Sequence, residues 1–417
     1  MVQIKSLKCF QCEKSFSPDS NLFRCPDCQS GLNAIYDYDE IQTSILGNAI
    51  IRGEFRRIEA YHWKYYPFYP INDVTKIVSM NEGGTPLIES KKIAKEVGCT
   101  HLYFKYEGAN PTGSFKDRGS TIEITNAIEK NAKSVICAST GNMGASVAAY
   151  AAMAGIDCTI LIPENIPTAK LAQIIAYGAK LIQVKTNSYH TVQRLSEQAA
   201  SQFNYFLLGD YINRTEGEKS VGFELIDQLD WKPPDFVFCP IGTGTLIWAI
   251  WKAFLEFKNV KLIGKLPKIV GVQAEGCAPV IHAFKNNTLK ITPIENPKTI
   301  ASAIAAPDPI TGNGALLAIK NSKGYGVTVS DEEIIQARSK LARIGLYAEL
   351  SGAVSLAGLI KMHADFKDEL KYEDIVCVIT GHGLKDALTG FDMEKRQIEP
   401  DINALKEVIS PPGKIRH

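Results

Sequence analysis

The chain has 417 residues, enough for two or three packed units, and its 45% hydrophobic and 22% charged residues match an ordinary globular protein. Forty-six basic against 45 acidic side chains leave a net charge of +1, without the basic excess of a nucleic-acid binder. No run of 18 apolar residues argues for a transmembrane helix, and the start MVQIKSLKCFQC lacks the basic-then-apolar layout of a signal peptide, so a cytoplasmic setting is expected.

In chain order, residues 1–35 are turn-rich and carry Cys9-x2-Cys12 and Cys25-x2-Cys28. Four thiolates at this spacing can close a tetrahedral site, and a closed set of four predicts structural zinc with no open position for catalysis. Reduced, unliganded thiols are the alternative. The other six cysteines are scattered, several inside apolar runs, as small buried hydrophobes in a reducing compartment would be. Residues 36–80 are aromatic-rich, with YHWKYYPFYPI, and are expected to lie across the main body as an arm.

From about residue 85 apolar strands alternate with helical stretches. SVICAS (134–139), CTILIP (158–163) and AKLIQV (179–184) form one set; DFVFCPIG (235–242), KIVGVQAEG (268–276) and DIVCVIT (374–380) form a second. Runs that are apolar throughout, with helices between, predict parallel strands covered on both faces, hence an α/β protein with two sheets. Ser330 with Glu333 predicts a capping box opening EEIIQARSKLARIG.

Four segments carry the chemistry. NPTGSFKDRG (110–119) sets turn residues around Lys116, with Ser114 or Asp117 able to cap a helix. ASTGNMGAS (138–146) joins a strand to a helix whose first amides can hold an anion. In PIGTGTL (240–246), Gly242, Thr243, Gly244 and Thr245 can form an amide nest with hydroxyl donors, suited to phosphate. In VITGHGLKD (378–386), Thr380 stands at the carboxyl end of a strand, where open α/β sheets place ligands, and His382 is expected to be loop structure.

Together these segments resemble pyridoxal-phosphate enzymes of fold type II, the tryptophan synthase β family, and among them the threonine synthases. EGGTPL (82–87), RTEGEK (214–219), VQAEGCAP (272–279) and TIASAI (299–304) add to the likeness, which runs from about residue 82 to 390. The resemblance implies a zinc-ribbon-like segment at 1–35, a large cofactor-binding domain from 36–105 and 210–400, a small domain at 106–209, a tail at 401–417, and a homodimer. It implies that Lys116 holds pyridoxal phosphate through its amine and later moves protons, its pKa lowered by burial or neighbours. Asn142 would meet the ring hydroxyl, and Gly242, Thr243, Gly244, Thr245 and Leu246 the cofactor phosphate. Thr380 would face the ring nitrogen; a neutral hydroxyl there predicts a weak electron sink suited to elimination and replacement. Ser139, Thr140 and Met143 would hold the substrate carboxylate, and Arg214, with Asn213 beside it, the leaving phosphate.

In threonine synthases the substrate is the phosphorylated amino acid O-phosphohomoserine. This chain departs from that pattern in GTGTL, in YINR for Asn-Pro-x-Arg, in Glu349-Leu350 for Glu-Pro and in AAPDPITGNGA. These departures leave open a cysteate synthase using O-phosphoserine and sulfite, another β-replacement synthase, or a threonine/serine dehydratase.

Overall fold

In the computed structural model, which describes residues 4–20, 22–47, 61–139, 141–164, 168–365, 370, 371, 373–386 and 400, the apolar runs form two sheets and the cysteine-bearing start forms a third. Strands β1 (Ile4–Cys9), β2 (Ser15–Phe16) and β3 (Leu32–Tyr36) pair antiparallel in the order β2-β1-β3. Along the chain follow β4 (Leu87–Glu89), β5 (His101–Tyr106), β6 (Ser134–Ala138), β7 (Asp157–Ile162), β8 (Lys180–Gln183), β9 (Phe206–Leu208), β10 (Phe236–Pro240), β11 (Lys268–Ala274), β12 (Tyr325–Val329) and β13 (Asp374–Ile379). The four-stranded sheet, ordered β8-β7-β6-β9, is parallel. The six-stranded sheet, ordered β12-β11-β10-β13-β5-β4, is parallel except at β4.

The expectation of parallel α/β sheets holds, and β10 illustrates why. Every residue of FVFCP is buried. Phe236 and Phe238 join a core with Val354 and Leu356 on one face, while Val237 and Cys239 join Trp251 and Phe254 on the other. The period-two alternation of a strand thus feeds two apolar layers at once. The expected aromatic arm is part of the second layer: Trp63, Tyr65 and Phe68 are fully buried, and Phe68 lies 4.9 Å from the Phe223 ring. The capping box at Ser330 and Glu333 is present. Among the described residues, no helix is long and apolar enough to cross a membrane.

Strand order reverses between β10 and β13, so two strand ends open side by side into a crevice. The helix Lys116–Glu129 enters this crevice, held there by Arg118. That guanidinium, fully buried, donates to Glu107 at 2.6 and 2.8 Å and to Glu224 at 2.8 Å twice, and also to Ser220 and Thr85. Lys105 of β5 adds a 2.7 Å bond to Glu224. Removing one partner of such a pair leaves the others charged and dry, which costs several kcal/mol. Arg118→Met is therefore expected to destabilise the protein by about 3–5 kcal/mol in urea unfolding; a loss below about 1 kcal/mol would show that the network does not anchor this helix.

Candidate active site

A cavity of about 830 Å³ opens at the carboxyl ends of β6, β10 and β13. Its walls include Lys116, Ser139, Asn142, Met143, Gly242, Thr243, Gly244, Thr245, Leu246 and Thr380, residues from all four sequence segments. Thr140 lies outside the described residues.

The loop after β10 is built as an anion cradle. Gly244 has φ +91°, and a Cβ there would stand 2.6 Å from the Thr311 carbonyl oxygen, so only glycine fits. Its turn starts the helix Thr245–Asn259, whose unpaired first amides and dipole favour negative charge. The hydroxyls of Thr243 and Thr245 lie 3.3 Å apart at the same place. A second strand-to-helix turn brings the Ser139 hydroxyl to the amides of Gly144 (2.7 Å) and Gly141 (3.4 Å).

Lys116, the first residue of its helix, lies between two acids. Its Nζ donates to Asp210 Oδ1 at 2.8 Å and stands 3.5 Å from Glu218 Oε1. Burial disfavours the ammonium, but the two carboxylates outweigh it and raise the pKa. This corrects the expectation of a lowered lysine: without cofactor the amine is held protonated. Asp210, which also accepts from Thr245 at 3.4 Å, is disfavoured as an anion by burial, yet Lys116 and Arg214 hold its carboxyl below the usual range. Glu218 is fully buried, neither of its oxygens accepts a hydrogen bond among the described residues, and burial pushes it up to about 7.

Arg214 is not where a leaving phosphate would need it. It is fully buried behind Lys116, donating to the Lys116 carbonyl at 3.0 Å and to Ser120 at 3.1 Å, and it is ion-paired with Glu123. Neither Arg214 nor Asn213, both on the helix Ile212–Glu218, is part of the cavity wall. Lys385 does line the cavity; its ammonium, lowered by burial, donates to Gln173 at 2.7 Å. His382 shapes the loop, as expected, its Nδ1 accepting from the Leu384 amide at 3.1 Å.

The cavity also holds the carboxylate of Glu349, which the sequence shows only as the glutamate of Glu349-Leu350. Thr380 donates to Glu349 Oε1 at 3.1 Å, and Asn142 donates to Glu349 Oε2 at 2.8 Å. Gly381 leaves room for it, since a Cβ there would lie 2.4 Å from Oε1. Thr380 is a neutral hydroxyl, as the sequence has it, but one whose proton is directed at an acid.

The cysteine set stands apart from this cavity. The four Sγ atoms of Cys9, Cys12, Cys25 and Cys28 lie within 4.8 Å of one another, with Cys9–Cys28 at 3.4 Å and Cys12–Cys25 at 3.5 Å. A tetrahedron with metal–sulfur bonds of about 2.3 Å has edges of about 3.8 Å, so the cluster fits a four-thiolate metal site.

Comparison with known proteins places this geometry. The family model described as "Pyridoxal-phosphate dependent enzyme" matches residues 78–381. The threonine synthase of Methanocaldococcus jannaschii is 43% identical over 96% of this chain and 98% of its own length. That of Methanosarcina acetivorans is 40% identical over 97% and 98%. Among solved structures, diaminopropionate ammonia lyase from Escherichia coli superposes with TM-score 0.63 at 18% identity, over 74% of this chain and 86% of its own. Maize serine racemase does so with TM-score 0.62 at 24% identity, over 72% and 88%. At these identities the structural likeness concerns the fold, which is that of fold type II pyridoxal-phosphate enzymes.

Burial raises the Glu349 carboxyl to about 6, above its unfolded value of about 4.3. A folded value above the unfolded one means that the folded state binds the proton more readily; the contribution is fully present below about pH 4.3 and lost as pH rises through about 6. Glu349→Gln, in the cofactor-free protein, should therefore gain about 2 kcal/mol relative to the parent between pH 4 and pH 7.5. Urea unfolding at the two pH values measures this, and a difference independent of pH would mean that Glu349 stays ionised throughout.

Proposed function

The chain belongs to the threonine synthase family of pyridoxal-phosphate dependent enzymes, and from that premise we propose that it is a lyase converting O-phosphohomoserine and water to threonine and phosphate, with Lys116 carrying the cofactor. The observation that carries this reading is that one buried lysine and one glycine–threonine loop at a helix start face the same cavity.

Pyridoxal phosphate supplies, when bound, an aldehyde for the lysine and a conjugated ring that spreads negative charge from the substrate's α carbon. The amides and hydroxyls of Gly242–Leu246 would receive its phosphate, Asn142 its ring hydroxyl and Thr380 its ring nitrogen. Asp210 would then release Thr245, and Lys116 would lose a proton; Glu218, raised to about 7 by burial, is the acid beside it suited to accept one. Ser139, Met143 and Thr140 hold the substrate carboxylate at the start of the second helix.

Lys116 would act as the base, taking the α proton and, once that proton has been passed on, a β proton; the γ carbon–oxygen bond breaks with release of phosphate, the two protons return to the γ and α carbons, and water gives its hydroxyl to the β carbon and its other proton to the phosphate. The cation for that phosphate is Lys385, because Arg214 is engaged with Glu123 and Ser120. Zinc at Cys9, Cys12, Cys25 and Cys28 would be structural, its four positions filled by protein. The expected setting is the cytoplasm and the expected assembly a homodimer.

Borohydride reduction of the loaded protein should fix the cofactor onto Lys116, read as a mass increase on its peptide, and the unreduced protein should absorb near roughly 415 nm. Lys116→Ala should lower phosphate release from O-phosphohomoserine by at least about 10³-fold. A label on another residue, or release from O-phosphoserine in preference, would overturn the assignment. Lys385→Ala should lower kcat/KM about ten- to a hundredfold, since a hydrogen bond to a charged group contributes about 1.5–3 kcal/mol; an unchanged value would return the phosphate to another cation.

A further inference from the structure

The residues flanking the four cysteines are the ones that touch the rest of the protein, and they touch both sides of the active-site cavity. Beside Cys9, Phe10 packs edge-on against Trp248 at 4.9 Å, on the helix that begins at Thr245. After Cys28, the Gly31 amide donates to the Ile310 carbonyl at 3.1 Å, and a Cβ at Gly31 would stand 2.7 Å from that oxygen. The next residue, Thr311, donates its amide to the Thr243 carbonyl at 2.9 Å, and its own carbonyl closes over Gly244. Two backbone contacts therefore separate the second cysteine pair from the anion cradle.

The other side is reached through the residues before Cys25. Arg24 donates to Glu197 at 3.0 Å, both side chains being largely buried, and Phe23 lies 5.6 Å from the Tyr211 ring. Tyr211 donates to the same Glu197 oxygen at 2.8 Å, and it directly follows Asp210, the partner of Lys116. Cys25 and its neighbours thus hold the turn that sets the Lys116 counter-ion.

We propose that metal filling the four-cysteine site controls cofactor retention, by fixing the two knuckles that brace the Thr243–Gly244 loop on one side and the Asp210–Tyr211 turn on the other. The proposal rests on the pyridoxal-phosphate reading of the cavity. Without metal the two knuckles are tied to each other by the exposed Lys14–Asp27 ion pair at 2.7 Å and by backbone bonds such as Cys25 N to Ser30 O, ties weaker than four metal–sulfur bonds, and both braces loosen together. The coupling is reciprocal: what the metal adds to cofactor affinity, the cofactor adds to metal affinity.

The test uses full-length protein, loaded with zinc or stripped by a chelator, titrated with pyridoxal phosphate and followed by absorbance. The stripped protein should bind the cofactor roughly tenfold more weakly, within the usual span of coupling between sites. Zinc, assayed by competition with a chromogenic chelator, should be held roughly tenfold more tightly when cofactor is bound. Equal cofactor affinity with and without zinc overturns the proposal and leaves the cofactor reading intact. No cofactor uptake by the zinc-loaded protein overturns both, and failure to take up one zinc per chain overturns the proposal alone. Should stripping unfold the chain, the zinc-loaded double variant Phe10→Leu with Arg24→Ala decides: it keeps its metal and loses roughly tenfold in cofactor affinity, whereas an unchanged affinity rejects the coupling.

Discussion

A charged amine set largely out of water needs counter-charge beside it, and the arrangement around Lys116 follows from that constraint. Two cations, Lys116 and Arg214, are packed with three acids, Asp210, Glu123 and Glu218. One negative charge is left over. Burial holds Glu123 and Glu218 each up to about 7, so one proton can reside among these carboxyls near neutrality and cancel the excess. Asp210 also reaches the anion cradle, accepting from Thr245 at 3.4 Å. An arriving phosphate group changes the balance by up to two charges, and the response falls on the same acids. Cofactor binding and proton movement at Lys116 are therefore one electrostatic event.

Much of this site can be read in the sequence, for local reasons. The glycines and threonines of PIGTGTL and the threonine of VITGHGLKD each sit where a buried strand ends, and a strand end in a parallel sheet faces the crevice, while the lysine in NPTGSFKDRG opens a helix after a run of turn residues. Their positions depend on a few neighbouring residues. The acids do not. Asp210 is 94 residues from Lys116 and Glu349 is 31 from Thr380; each acquires its role only when separate elements meet. Arg214 reads like a phosphate ligand because guanidinium chemistry suits one, yet Glu123, from another helix, engages it first. Four strands of the two larger sheets also escape notice. β4 and β9 have three residues each, and β5 carries a lysine whose charge is hidden by Glu224. β12 is mostly half-buried rather than apolar throughout.

Glycine marks the places where the site is tightest, and two such places decide what the cavity can do. At Gly244 the backbone must turn with positive φ under the Thr311 carbonyl, which aims the first helical amides at the cradle. At Gly381 the absent Cβ makes room for the Glu349 carboxyl. A larger residue at 381 would push that acid away from Thr380 and Asn142 together, so one missing methyl group sets the hydrogen-bonding character of both. Thr380 donates to Glu349, whose carboxyl burial raises to about 6, so this hydrogen bond can reverse when Glu349 takes up a proton. What that end of the cavity offers a ligand therefore depends on a carboxyl one hydrogen bond removed from it.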